Sequence, residues 1–223
     1  MKIDKANSPT WVKVTIWVTI ITFVLGFVGV GLTEFLTSSN SNSSTASSSS
    51  DATSTATAGT STLATINAQY QTQAVSTEAL VKKAPNNAQT QSELGSLYAQ
   101  WAQALSTSTD KAAQSAAPEK FKSSAAAWAA AYDLDKSNKE IAGDYATSLY
   151  YTGDTAGAVK IAKEVLAKNP KYATVWFNLG IYLADTDQPQ AIIALENAVK
   201  YDSNATTKKQ AQTALDSLKK ASN

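Results

Sequence analysis

Asn138 to Pro170 can be laid over Tyr172 to Ser203 at a spacing of about 33 residues, and this recurrence limits what the chain can fold into more than any other feature. In the overlay Ala158 and Val159 meet Ala191 and Ile192, Ala162 meets Leu195, Val165 and Leu166 meet Ala198 and Val199, and Asn169 and Pro170 meet Asp202 and Ser203. Each stretch holds two runs of helical periodicity separated by a turn, at Tyr151 to Thr155 in the first and Asp185 to Pro189 in the second. A unit of this size is one helix hairpin. A single hairpin cannot shelter its own apolar stripe, so about three must stack side by side. The residues after Leu63 are rich in Ala, Leu, Tyr and Trp, with Gly and Pro sparse, which favours helix over strand and predicts an all-α domain over 63–223.

In the last unit Trp176, Leu179, Gly180 and Leu183 stand on the first helix and Ala191, Leu195 and Ala198 on the second. The middle unit carries Ala146, Leu149, Gly153, Ala158 and Pro170, and an earlier one opens with Leu94, Gly95 and Tyr98 and closes with Trp128 and Ala131. This pattern resembles the tetratricopeptide repeat family, whose signature places a bulky residue, Leu-Gly and Tyr on one helix and Ala, an aromatic, Ala and a closing Pro on the next. The resemblance covers roughly Asn86 to Asn204. It implies a right-handed α-solenoid of about three helix pairs, in units of about 86–136, 138–171 and 172–204. The first unit departs from the pattern, with Ser106 to Glu119 expected as an insertion between its helices, and the last is one residue short in its turn.

The residues make physical sense apart from the family. Small side chains at Gly95, Ala146 and Gly180 let the second helix of each pair come close, while Tyr98, Leu149, Trp176, Leu179 and Leu183 fill the space between ridges. The ends need covers. Leu63, Ile66, Tyr70, Ala74 and Val81 form one stripe that can pack on the first unit, and a polar helix over 205–221, apolar at Ala211, Leu215 and Leu218, can close the other end.

Ahead of this domain, residues 11–36 contain an uncharged apolar run from Val14 to Leu32, long enough to cross a hydrocarbon core of about 30 Å. Trp11 and Trp17 suit the headgroup region, and Lys13 can snorkel. A cleaved secretory signal would need a shorter run followed closely by small residues, whereas this one leaves through Thr33, Glu34, Phe35 and Leu36, so an uncleaved anchor is expected. Lys2, Lys5 and Lys13 precede or begin the run and no lysine follows until Lys82. The positive-inside rule then puts residues 1–10 in the cytoplasm and the repeat domain outside the plasma membrane. Residues 37–62, almost wholly Ser, Thr, Ala and Asn, read as a disordered tether with a mean reach of roughly 25 to 30 Å.

Several chemistries are closed by residue type. The chain has no Cys and no His, which removes disulfides, the usual transition-metal ligands, thiol nucleophiles and the commonest general base. All 19 basic residues are Lys, set against 18 acidic ones, so neither a basic face for nucleic acid nor an Arg fork for phosphate is present. The carboxylate pairs Asp133 with Asp135 and Asp185 with Asp187 could bind Ca²⁺ or move protons, but they fall where loops are expected and read as turn residues. Neither an enzyme nor a cofactor protein is indicated.

Stacked hairpins curve, and their first helices line an inner face suited to a peptide or helix. The register expects that face to contain Gln89, Ser92 and Ser96, then Gly143, Thr147, Tyr150 and Tyr151, then Phe177, Ile181 and Ala184, with interhelix packing as the alternative role for the rings. Some members of the family grip a terminal carboxylate there with Lys and Asn. Ser92, Ser96, Gly143 and Thr147 occupy those places here, so that clamp is not expected. Two readings follow: a membrane-tethered adaptor for protein partners in secretion, assembly or complex biogenesis, or a self-associating scaffold of the cell envelope, a homo-oligomer using Gly26, Gly29 and Gly31 as a membrane contact.

Overall fold

A computed structural model describes residues 62–222. It contains eight helices and, among the described residues, no strand. They are α1 (Leu63–Lys83), α2 (Ala88–Thr107), α3 (Lys111–Leu134), α4 (Lys139–Tyr151), α5 (Thr155–Lys168), α6 (Ala173–Leu183), α7 (Gln188–Tyr201) and α8 (Ala205–Ser222). The segments expected to be cytoplasmic tail (1–10), membrane helix (11–36) and tether (37–62, apart from Thr62) lie outside the described residues. Within them, no helix is long and apolar enough to cross a membrane.

Short polar caps set the helix boundaries. Asn87, Asp110, Asn138, Asp154 and Asp187 each accept a hydrogen bond from a backbone N–H in the first turn of the helix that follows. Gly153 closes the α4–α5 turn at φ 91°, a conformation that L side chains avoid. Successive helices pack on their chain neighbours as α2 with α3, α4 with α5 and α6 with α7, while α1 and α8 cover the two ends. Contact between first helices of adjacent pairs is present but slight, as between α4 and α6.

The close approaches fall where small residues were expected. A Cβ built on Gly180 would lie 2.6 Å from Leu195 Cγ, and one on Gly95 would lie 2.8 Å from the Trp128 ring. Ser124, fully enclosed, donates to the Gly95 carbonyl at 2.8 Å and fixes the same crossing. Apolar residues then gather in separate clusters. Ile66, Trp101, Leu105 and Ala113 belong to one cluster of α1, α2 and α3, while Ala146, Ala162, Phe177, Leu195 and Leu215 belong to one running from α4 to α8. Between them sits a smaller cluster of Trp128, Ala131 and Ile141.

The first pair corrects one expectation. Ser106 to Glu119 is not a loop inserted between helices; it lengthens both, to 20 residues in α2 and 24 in α3, and leaves a turn of only Ser108 to Asp110. Ala112, Ala113, Ala116 and Ala117 favour helix and propagate it once Asp110 has capped it. The Asp110 carboxylate caps α3 through Ala112 and also accepts from the Leu63 backbone N–H at 2.9 Å, docking the start of α1 on the extended hairpin. These bonds, that from Leu63 foremost, hold the carboxyl below its ordinary range.

Pro118 lies exposed inside α3, where it can supply no N–H to the Gln114 carbonyl one turn back. Pro118→Ala is expected to stabilise the fold by about 1 to 2 kcal/mol, read from urea midpoints at unchanged slope. A loss instead would mean that the proline bend is what seats Ala113 and Ala117 on α2.

Candidate protein-binding face

The inner face follows from the directions α4 does not bury. Ala142 and Ala146 join the core with Ala158 and Ala162 of α5. Gly143 turns to α6, where a Cβ would meet Val175 at 3.3 Å, and Tyr145 turns to α3, stacking on Tyr132 with centroids 5.4 Å apart. At 100° per residue one sector remains, and it carries Glu140 and Asp144, both exposed, with the half-buried Tyr151 between them and Thr147 at its edge. On α2 the same sector carries Gln89, Glu93, Ser96 and Gln100, and on α6 it carries Thr174 and Asn178.

Most of the residues expected here are present in some form. Gln89 is exposed and donates to Glu93 at 3.2 Å. Ser96 is half-buried and accepts from Gln100 at 3.3 Å, whereas Ser92 is buried and donates back to the Ala88 carbonyl at 2.8 Å. Thr147 knots two helices together. Its hydroxyl lies 3.0 Å from the Gly143 carbonyl and 2.9 Å from the Tyr182 hydroxyl, and accepts from Asn178 Nδ2 at 3.2 Å. One arrangement satisfies all three contacts: Thr147 donates to Gly143, and Tyr182 and Asn178 donate to Thr147.

The aromatic end of the expected groove is mostly interior. Phe177 and Ile181, 2% and 4% exposed, belong to the same core cluster as Ala211 and Leu215 of α8, so they do not line an open groove. Tyr151 stacks on Phe121 of α3, centroids 4.6 Å apart and 7° from parallel, and Tyr150 leans on Tyr182 at 4.9 Å. Both tyrosines are half-buried, and burial is the main cause raising both hydroxyl pKa values. Their rings act first as seams between helices. Of the carboxylates expected in loops, Asp133 lies instead in the last turn of α3 and pairs with Lys136 at 3.4 Å, whereas Asp135 accepts from Ser137 and Asn138 and Asp187 caps α7.

Reasoning from the sequence missed Glu93, Asp144 and Asn178. The spacing of Glu140 and Asp144, one helical turn apart between buried residues, was the available signal. Asp144 has an unusual environment. The residue as a whole is exposed, while desolvation of its carboxyl, and then the charge of Glu140, pushes that group up to about 7.

That shift has a sign. A carboxyl raised above its unfolded value binds more protons when folded, so its effect on stability grows unfavourable as pH climbs from about 4 to about 7. Asp144→Asn is therefore expected to raise the urea midpoint at pH 8 and to flatten its fall between pH 5 and 8. An unchanged slope in the variant would show that the carboxyl titrates normally.

No family model matches the chain, and no curated protein matches it. The solved structures similar to this chain include two of MamA. A crystal structure of MamA is 14% identical with a TM-score of 0.49, the match covering 70% of this chain and 90% of that one. A second crystal structure of MamA protein is 17% identical with a TM-score of 0.47, covering 71% and 87%.

Proposed function

We propose that this chain is a membrane-tethered adaptor of the tetratricopeptide type, which holds protein partners on its inner face and performs no covalent chemistry. The observation that carries this reading is the open polar sector shared by α2, α4 and α6 on a stack of helix hairpins. Such a surface is preformed, because the opposite sides of the same helices are locked into the core, and a partner segment need not order it. Residues 11–36 would anchor the array through the bilayer, with the tether holding it outside, in keeping with work in secretion, assembly or complex biogenesis.

The test places a photo-crosslinking side chain at Gln100 or Asn178 on the inner face, and at Lys163 on α5, in the full chain within cells. Adducts with distinct envelope proteins from the first two positions, and none from the third, are the expected result. Adducts with the chain itself alone would favour the self-associating scaffold. Equal labelling from all three positions would count against an inner-face site, and protection of the repeat domain from external protease would refute the topology.

A further inference from the structure

The inner face carries one sign of charge although the whole chain is formally only +1. Glu93, Glu140, Asp144 and Asp185 are all exposed along it or at its end. On α2, α4 and α6 the one lysine is Lys139. The opposing cations sit elsewhere, on α5 at Lys160, Lys163 and Lys168 and on α8.

Lys139 shows what this face accepts. Its ammonium lies 3.3 Å from the Glu140 carboxylate and 5.4 Å from the centre of the Tyr172 ring, a carboxylate and an aromatic face gripping one cation at the rim. One turn further along α4 stands a second exposed carboxylate, Asp144, whose charge bears on the Tyr172 hydroxyl. Here, among the described residues, no lysine pairs with the carboxylate. Glu93 holds the equivalent register on α2, with Gln89 as its neighbour.

We propose that the inner face takes a Lys- or Arg-bearing segment of a partner protein, seating its cationic side chains on Asp144 and Glu93 and against the ring of Tyr172. This rests on the partner-binding reading above and adds the chemistry of the partner. A cation at Asp144 answers an exposed carboxylate that no lysine pairs with among the described residues, and adds a charge-assisted hydrogen bond. The groups beside Asp144 are Glu140 on its own helix, Tyr172 at the cap of α6 and Tyr182 within it, with Lys139 reaching Tyr172; the two tyrosine hydroxyls, both raised by burial, do not change charge between pH 6 and 8. Asp144 does, gaining its full charge as pH rises through about 7, so the segment binds more tightly at pH 8 than at pH 6.

The experiment uses the full chain and two labelled alanine-based peptides of about 20 residues, one with Lys and one with Glu at every fourth position, read by fluorescence anisotropy. The Lys peptide is expected to bind, tightening from pH 6 to pH 8, and the Glu peptide is not. Asp144→Asn should weaken the Lys peptide about three- to tenfold at pH 8 and remove the pH dependence, while Lys163→Gln on α5 leaves both unchanged. Circular dichroism confirms that each variant is folded. Undiminished binding to Asp144→Asn would overturn the proposal, as would failure of the Lys peptide to bind. In either case, inner-face crosslinks to envelope proteins would leave the adaptor reading standing, and their absence would remove both.

Discussion

Trp128→Ala is expected to cost about 3 to 5 kcal/mol, among the largest effects of any single truncation in this chain. The indole is 7% exposed and lies over Gly95, where a Cβ would come within 2.8 Å of it, so no neighbour can collapse into the space it leaves. It also belongs to the small cluster that joins the α1–α3 core to the α4–α8 core. In a stack where each hairpin meets only its neighbours, weakening one joint lets the two sides unfold separately. Denaturation followed by Trp101 fluorescence should therefore part from denaturation followed by Trp176, with an intermediate between them. A single coincident transition in the variant would show that the Phe121–Tyr151 and Tyr132–Tyr145 stacks hold the joint without the indole.

Gly180→Ala is expected to destabilise by about 2 to 3 kcal/mol although it adds one methyl group. That methyl would lie 2.6 Å from Leu195 Cγ and 3.2 Å from the Ala191 carbonyl. Leu195, 1% exposed, has no free volume to move into. Leu195→Ala alone should lose about 2 to 5 kcal/mol by leaving a cavity. Combined, the two substitutions refill one another's errors and should lose clearly less than their sum, a coupling measurable in a double-mutant cycle. Additive losses would mean that the two residues are not in the contact described.

These two contacts also show what could be read before any coordinates. Gly95 and Gly180 stood out because a small residue recurring at helical spacing beside large apolar ones has few uses other than a close helix crossing, and each opposes a large buried side chain, Trp128 or Leu195. The turns at Tyr151 to Thr155 and Asp185 to Pro189 were legible for a similar reason, since Gly153 and the caps Asp154 and Asp187 have turn-specific conformations. The first pair was misjudged because a repeat template treats extra residues as a loop, whereas Ala-rich sequence costs little to continue as helix. The binding face was the hardest part. Phe177 and Ile181 satisfy the same spacing as surface residues, and only the packing of the helices from α4 to α8 into one core decides that they are enclosed. The spacing of Glu140 and Asp144 marked the pair as solvent-facing, but the desolvation of the Asp144 carboxyl was not legible, because it depends on packing that spacing does not report.

The junction of Leu63 with Asp110 bears on how the molecule would respond to being pulled. The described chain enters the array at α1, and the first N–H of that helix is fastened to the carboxylate at the tip of the α2–α3 hairpin. Tension arriving from the N-terminal side would meet that bond first and then strip α1 from its neighbours contact by contact, as in unzipping. The remaining hairpins would stay under little load, so α1 would act as a mechanical fuse for the surface beyond it.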